Sequence, residues 1–233
     1  MIKPIELVIF DCDGVLVDTE RIAVRVQVAL AAELGWPLTE EDIVGRFIGQ
    51  PSEDIRRQII DALGVETAVV WREEFERRHQ EAVDFGLTAI EGIPEVLDAI
   101  AVPTCVASNG SHAKIRSNLG RTGLYERFAD RVFSASDVPR GKPDPGLFLH
   151  AAREMGVAPA ACAVVEDSQP GVRAARAAGM RVFGYAGGLT PAERLAESGA
   201  QVFYDMRELP GLLREQQVMA GGLAVGYRPS TTR

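Results

Sequence analysis

Residues 5–14 read Ile-Glu-Leu-Val-Ile-Phe-Asp-Cys-Asp-Gly, and this stretch sets the architecture of the whole chain. Its first six residues form a short apolar run rich in β-branched side chains, which predicts a buried strand. The pair Asp13-Gly14 is typical of a turn and ends that strand. Two carboxylates, on Asp11 and Asp13, therefore stand at the carboxyl end of the first predicted strand.

Beyond this turn the spacing of apolar residues changes from that of a strand to that of helices. Helical periodicity predominates through residues 18–85, after which short apolar strands alternate with helices. Such alternation implies a parallel sheet that is covered on both faces. We therefore predict an α/β fold with a Rossmann-like parallel-sheet core, residues 1–17 and 86–233, and an inserted helical cap domain, residues 18–85.

The composition limits the classes of partner. The chain has 233 residues, a hydrophobic fraction of 46% and a formal net charge of −8. An acidic surface disfavours nucleic acid and anionic lipid as partners. No apolar run reaches the roughly 18 residues that a membrane-spanning helix needs, and the spacing of the three cysteines suggests neither a disulfide framework nor a metal site. We expect a cytoplasmic monomer that binds neither nucleic acid nor membranes.

Polar side chains follow several of the predicted strands. In open parallel sheets, ligands bind beyond the carboxyl ends of the strands. Besides Asp11 and Asp13, the groups at such positions, or in a loop just before a helix, are Ser108-Asn109-Gly110, Lys142 and Glu166-Asp167. We expect these groups to converge on one crevice.

The charges of this crevice predict a metal ion. Four carboxylates repel one another strongly, and Lys142 supplies a single compensating charge. A hard divalent cation with oxygen ligands would supply the rest, and the lack of His and Cys among these groups disfavours zinc. Mg²⁺ takes one or two protein carboxylates and completes its coordination with water and phosphate. The sequence therefore predicts Mg²⁺ as cofactor and a small phosphorylated molecule as substrate.

Four segments, in this order along the chain, resemble the four motifs of the haloacid dehalogenase superfamily. They are Asp11-x-Asp13-Gly14-x-Leu16-x-Asp18-Thr19-Glu20, Ser108-Asn109-Gly110, Gly141-Lys142-Pro143-Asp144-Pro145 and Glu166-Asp167-Ser168-x-x-Gly171. The resemblance is to the subgroup with a helical C1-type cap, like the β-phosphoglucomutase and phosphoglycolate phosphatase relatives. Within that subgroup the chain is similar to bacterial sugar-phosphate phosphatases of the 6-phosphogluconate type.

The resemblance implies a phosphatase and a catalytic role for three residues. Asp11 would attack phosphorus and form an aspartyl-phosphate, which is covalent catalysis by a carboxylate. Asp13 would protonate the leaving alkoxide and then deprotonate the water that hydrolyses the intermediate. Lys142 would offset negative charge on Asp11 and on the transferred group.

The resemblance also implies the residues that bind phosphate and metal. The phosphate-binding residues would be Ser108, Asn109 and Gly110, and the Mg²⁺ ligands would be Asp11, Glu166, Asp167 and the backbone carbonyl of Asp13. The loop around Gly49 falls between two predicted cap helices and should face the core. We therefore predict that Gln50, Ser52 and Arg56 lie near the substrate when the cap closes over the crevice.

A phosphomutase like β-phosphoglucomutase is the nearest alternative. The mutase pattern has a His shortly after the Asp-Thr pair and basic residues in the Gly loop of the cap. Here Thr19 is followed by Glu-Arg-Ile-Ala-Val, and residues 47–52 contain neither Lys nor Arg. Because Arg46, Arg56 or Arg57 could bind a second phosphate instead, the mutase stays open.

Two other functions fit the sequence less well. A haloalkanoate dehalogenase shares the nucleophile but lacks the second aspartate, because a leaving halide needs no proton; Asp13 therefore argues against it. A catalytically silent metabolite-binding module on the same fold is the alternative from another class. The filled catalytic positions count against that module.

Overall fold

The computed structural model describes residues 3–50 and 52–222. Six strands form one parallel sheet in the order β3-β2-β1-β4-β5-β6. The strands are β1 Leu7–Phe10, β2 Thr104–Ser108, β3 Val132–Ser134, β4 Cys162–Glu166, β5 Arg181–Tyr185 and β6 Gln201–Phe203. The structure confirms the predicted α/β fold with a Rossmann-like parallel sheet.

Helices surround the sheet and form a separate group between β1 and β2. That group comprises α1 Thr19–Glu33, α2 Glu40–Phe47, α3 Ser52–Leu63 and α4 Val65–Gly86. The other helices are α5 Ile93–Ala99, α6 His112–Arg121, α7 Tyr125–Phe128, α8 Gly146–Glu154, α9 Gln169–Ala177, α10 Ala192–Glu197 and α11 Leu209–Gly222.

Both faces of the sheet are buried under apolar side chains. Val8 and Phe10 of β1 join the core on one face, and Leu7 and Ile9 join the core on the other. All four are fully buried. Burial on both faces explains why β1 is a continuous apolar run instead of an alternating one.

Helices α1–α4 have an apolar core of their own. The rings of Trp36, Phe47 and Trp71 meet there, with centroid separations of 6.1, 6.2 and 6.3 Å. Aromatic pairs at such separations add to the free energy of simple area burial. The separate core supports our proposal that residues 18–85 form a cap domain.

The two connections between these helices and the sheet run side by side. The backbone N–H of Asp18 donates to the carbonyl of Thr88 at 3.0 Å, and Val17 forms an antiparallel bridge with Ala89. The Asp18 side chain then caps α1 by accepting the N–H of Arg21 at 3.3 Å. The paired connections fix the start of α1 beside the end of β1.

The register of the strands brings their carboxyl ends to one level. Phe10 of β1 pairs with Val106 of β2 and with Val165 of β4. The next residues, Asp11 directly after β1 and Glu166 at the end of β4, therefore lie side by side. This edge of the sheet carries the candidate site.

Candidate active site

A lysine joins two buried carboxylates at this edge. The Lys142 ammonium donates to Asp11 Oδ1 and to Glu166 Oε1, each at 2.6 Å. Its side chain is 4% exposed and its Nζ lies 4.9 Å from the centroid of the Phe148 ring. Burial alone would lower the pKa of Lys142, but the charges of Asp11 and Glu166 outweigh burial and raise it. The lysine therefore stays protonated between its partners.

Three carboxylates form an oxygen cluster that fits a divalent cation. One oxygen each from Asp11, Glu166 and Asp167 lies within 4.8 Å of the others. Asp167 Oδ2 is buried and has no hydrogen-bond partner in the part of the chain that the structure describes. Burial of an ionised oxygen without a partner costs free energy of folding unless a cation balances its charge. Because all donors are carboxylate oxygens, the residues fit the predicted Mg²⁺.

The raised pKa values of Asp11 and Asp167 also indicate that the cluster lacks compensating positive charge. Burial raises the pKa of Asp11 from 3.8 to about 7; Lys142 lowers it in part, and Glu166 raises it further. Burial also raises the pKa of Asp167 well above its usual range, with contributions from Glu20 and Glu166. A bound cation would favour the ionised form of both groups.

Asp13 is held by three side chains that sequence reasoning missed. Thr19 Oγ1 and Asn118 Nδ2 donate to its Oδ1 at 3.0 and 3.1 Å, and Lys114 Nζ donates to its Oδ2 at 2.7 Å. The sequence did contain a signal. Lys114 and Asn118 are four residues apart in the helix that follows Ser108, so they share the helix face above the crevice.

Glu20 is a further carboxylate beside the crevice that was not predicted as a site residue. It lies in the first turn of α1, and its Oε2 is buried without a hydrogen-bond partner among the described residues. Burial raises the pKa of Glu20 to about 7, and the charges of Asp11 and Asp18 add to the shift. An acidic residue in a first turn is too common to mark a site in sequence.

The segment after β2 makes two different sets of contacts. Ser108 Oγ accepts the N–H of Gly110 at 3.1 Å, which uses a lone pair and leaves the hydroxyl proton for another acceptor. The Asn109 side chain donates to the carbonyl of Lys142 at 3.1 Å and accepts its N–H at 2.9 Å. Asn109 therefore orients the backbone that carries the lysine.

The predicted specificity residues lie on the third cap helix or in the loop before it. Gln50 is exposed, and its N–H donates to the carbonyl of Phe47 at 3.1 Å. Arg56 pairs with Glu53 of the same helix at 2.6 Å. Ser52 begins α3, and its side chain lies outside the described part of the structure. Their contact with a substrate stays a prediction.

The loop that carries Gln50 is tied to the core. Arg194 of α10 donates from Nη1 to the carbonyl of Ile48 at 2.9 Å. The same Nη1 lies 3.7 Å from the position that a Cβ on Gly49 would occupy. This contact sets the Gly49 loop against the core, as the sequence led us to expect.

Comparison with known proteins now gives the family. A profile described as haloacid dehalogenase-like hydrolase matches residues 5–179. The chain belongs to this family of hydrolases, which confirms the resemblance of its motifs. Within the family it is an enzyme of the phosphoric monoester hydrolase class, since its curated relatives include phosphatases.

Two of these relatives are similar over most of their length. The chain is 40% identical to 6-phosphogluconate phosphatase of Escherichia coli (strain K12) over 184 residues, which is 77% of this chain and 81% of that protein. It is 30% identical to the phosphorylated carbohydrates phosphatase of Thermotoga maritima over 218 residues, which is 90% of this chain and 99% of that protein.

A solved structure has the same fold over nearly the whole chain. It is a conserved haloacid dehalogenase-like protein of unknown function from Agrobacterium tumefaciens, with a TM-score of 0.84 and 36% identity. The match covers 91% of this chain and 98% of that protein. Among the described residues, no helix has the length and apolar character needed to cross a membrane.

Proposed function

We propose that the protein is a Mg²⁺-dependent phosphatase of small phosphorylated sugars or sugar acids that works through an aspartyl-phosphate. The observation that carries this proposal is the Lys142 ammonium between Asp11 and Glu166, beside the cluster completed by Asp167. A nucleophile, a fixed cation and a metal site in one crevice suit phosphoryl transfer. The substrates named for the relatives from E. coli and T. maritima support the substrate class.

In the first proposed step, Asp11 attacks the phosphorus atom. A bond forms between Asp11 Oδ and phosphorus, the ester P–O bond breaks, and the leaving oxygen takes a proton from Asp13. Lys142 stabilises the negative charge on Asp11 and on the transferred phosphoryl group. The Ser108 hydroxyl, with the neighbouring Asn109 and Gly110, would hold the phosphoryl oxygens.

In the second step, water hydrolyses the aspartyl-phosphate. Asp13 takes a proton from the water, whose oxygen bonds to phosphorus as the bond to Asp11 breaks. Inorganic phosphate leaves and Asp11 regains its carboxylate. Mg²⁺ would be held by Asp11, Glu166, Asp167 and the backbone carbonyl of Asp13, and when bound it neutralises charge on the phosphoryl oxygens.

The arginines near the Gly49 loop bear on the mutase alternative. Arg57 pairs with Asp54 at 3.3 Å, and the Arg46 guanidinium lies 6.0 Å from the Trp36 ring centroid. Arg56 has its own carboxylate partner one helical turn away. These ion pairs are exposed and contribute little free energy, so they do not prevent the cations from binding a second phosphate, and the mutase stays an alternative. In the proposed enzyme the cap, residues 18–85, carries the specificity residues.

The proposed function is tested by measuring phosphate release from phosphorylated sugars, sugar acids, glycolate and nucleotides, with Mg²⁺ and with EDTA. We expect Mg²⁺-dependent release from a sugar or sugar-acid phosphate. Asp11→Asn keeps the shape of the side chain and removes the nucleophile, so it should release none. Activity that survives this substitution or EDTA would contradict the mechanism, and isomerisation without phosphate release would indicate a mutase.

Two further parts of the proposal come from composition. We propose that the protein is a monomer and acts in the cytoplasm; its net charge of −8 favours neither membranes nor nucleic acid as partners. Light scattering on the purified protein measures the mass directly. A dimer mass at micromolar concentration would contradict the first part.

A further inference from the structure

The two oxygens of the Asp13 carboxylate are held in different ways. Oδ1 accepts from Thr19 and Asn118, two buried side chains, and these donors occupy both of its lone pairs. Oδ2 accepts from Lys114, whose side chain is 45% exposed. Thr19 and Asn118 therefore fix the carboxylate without Lys114, and Oδ2 is the oxygen left to exchange a proton with a substrate.

This geometry puts Lys114 next to the leaving group. The leaving oxygen must come within hydrogen-bonding distance of Asp13 Oδ2, where the Lys114 ammonium now lies 2.7 Å away. Lys114 then has to share Oδ2 or give it up. In either case its ammonium stays beside the leaving group, and the exposed, flexible four-carbon stem lets it follow that group toward its far end.

The other lysine of the crevice does not serve the leaving group. Lys142 is buried between Asp11 and Glu166, where it contacts the proposed nucleophile. Lys114 instead stands at the open side of the crevice, at the start of α6. Its charge therefore acts on the part of a substrate that departs.

The cap contributes a histidine near the start of α1. His79 of α4 stacks on Phe75 with a centroid separation of 5.4 Å. The pKa of His79 is lowered overall, chiefly by burial, while a hydrogen bond to the Thr19 backbone raises it. The imidazole thus lies beside Thr19, one of the two side chains that fix Asp13.

An ammonium displaced from a carboxylate binds best to another carboxylate, because hydrogen bonds between two ionised groups are the strong ones. We propose that Lys114 recognises a carboxylate on the leaving group and so selects sugar-acid phosphates over neutral sugar phosphates. This inference rests on the proposed phosphatase function and deepens it by assigning the residue that distinguishes the two substrate classes.

The test compares three phosphate esters on the full-length enzyme with Mg²⁺. 6-Phosphogluconate carries the carboxylate, glucose 6-phosphate lacks it, and p-nitrophenyl phosphate has a leaving group that needs no proton. Lys114→Met removes the charge and keeps the length of the side chain, whereas Lys114→Arg keeps the charge. Arg116→Met is the matched control, since Arg116 lies on the same helix with its guanidinium 5.4 Å from the centroid of the Tyr125 ring.

We expect Lys114→Met to lower kcat/KM for 6-phosphogluconate about tenfold more than kcat/KM for glucose 6-phosphate, mainly through a higher KM. Any loss that arises through Asp13 is shared by both sugar esters and leaves this ratio unchanged. The value for p-nitrophenyl phosphate should change by less than about threefold, as should all three values for Arg116→Met. Lys114→Arg should retain most of the preference for the acid.

One result would overturn the inference about Lys114 alone, and another would overturn the proposed phosphatase function with it. Equal losses in kcat for both sugar esters, with p-nitrophenyl phosphate spared, would mean that Lys114 acts only by orienting Asp13. A wild-type enzyme that releases phosphate from none of the three esters would overturn the proposed function as well.

Discussion

Two glycines leave the space that the buried carboxylates occupy. A Cβ on Gly171 would lie 1.9 Å from Glu166 Cδ, and a Cβ on Gly14 would lie 2.0 Å from Asp167 Oδ2. Gly14 also has a φ of 79°, which side chains rarely adopt. Gly14 of the first motif and Gly171 of the fourth are therefore required by their close approach to the carboxylates that we propose bind the metal.

Gly171→Ala should damage the site more than the fold. The added methyl group must displace the Glu166 carboxylate, which accepts from Lys142 and from Ser168. A displacement of about 1 Å in a catalytic group lowers kcat roughly a hundredfold, and overpacking costs about 1–3 kcal/mol of stability. Steady-state kinetics and chemical denaturation measure the two effects.

Gly120→Ala provides the matched control for that substitution. Gly120 is in α6, and a Cβ there would meet nothing within 4 Å. Alanine has the higher helix propensity, by up to about 1 kcal/mol, so this variant should be fully active and at least as stable. Full activity in Gly171→Ala would show that Glu166 tolerates displacement and would contradict the role given to Gly171.

The sequence predicted the motif residues but not the side chains that hold Asp13. Asp11, Lys142, Glu166 and Asp167 follow strands or precede a helix, and the register of a parallel sheet brings such positions together. Lys114 reaches Asp13 from the helix above it, across 101 residues of sequence. The spacing of Lys114 and Asn118 places them on one helix face, but it does not show which carboxylate that face meets.

Helix α10 and the loop before it link the core to the cap. Leu189 of that loop packs against the apolar core of α1–α4, and Arg194 binds the Ile48 carbonyl. Gln169 of α9 in turn donates to the carbonyl of Arg194 at 3.3 Å, which ties α10 to the helix that follows Glu166 and Asp167. Helix α10 therefore contacts both the Gly49 loop of the cap and the helix that follows Glu166 and Asp167.

Arg194→Met should loosen the Gly49 loop. The bond from a guanidinium to a carbonyl at a half-buried position contributes about 1 kcal/mol, which corresponds to about a fivefold change in an equilibrium constant. We expect KM for a sugar phosphate to rise about fivefold while kcat changes less. Hydrogen exchange should also become faster at the amides of Ile48 and Gly49.

Arg153→Met is the comparison for this prediction. Arg153 lies on α8, its side chain is 72% exposed, and it pairs with Glu154 of the same helix. Both KM and the exchange rates should stay unchanged in that variant. Unchanged exchange in Arg194→Met would mean that packing of Leu189 alone holds the loop.

The elements that the sequence missed lack strong periodicity. β1 and β4 are buried on both faces and read clearly as strands, whereas β6 is three residues long and begins at the exposed Gln201. Its pairing with β5 comes from the sheet edge and not from its own apolar pattern. Helix α10, with six residues, is too short to establish a helical pattern.

At the scale of the whole molecule, the crevice concentrates negative charge in a protein that is already acidic. Asp11, Glu166 and Asp167 are buried together, Glu20 borders them, and the formal net charge is −8. Lys142 compensates only part of this charge. Without a metal ion the folded state therefore favours the protonated forms of Asp11, Asp167 and Glu20, which links its stability to pH.

The raised pKa values of Asp11 and Glu20 decide whether stability rises or falls with pH. The pKa of Asp11 rises from 3.8 to about 7 and that of Glu20 from 4.5 to about 7, so the folded protein holds protons that the unfolded chain releases. Stability from these groups is complete below about pH 4 and is lost as the pH rises through about 7. Surface carboxylates paired with arginine, such as Glu74 with a pKa of about 2, act in the opposite direction at lower pH.

Mg²⁺ should therefore stabilise the protein more at pH 8 than at pH 5. Protons compete with the cation at pH 5, whereas at pH 8 the ionised cluster binds it and the folded state gains free energy by mass action. Thermal unfolding at both pH values, with Mg²⁺ or with NaCl of equal ionic strength, measures the difference. Asp167→Asn should abolish the Mg²⁺-dependent rise in Tm, and Asp98→Asn, at an exposed ion pair with Arg127, should retain it. A rise at pH 5 equal to that at pH 8 would mean that Mg²⁺ binds elsewhere or does not compete with these protons.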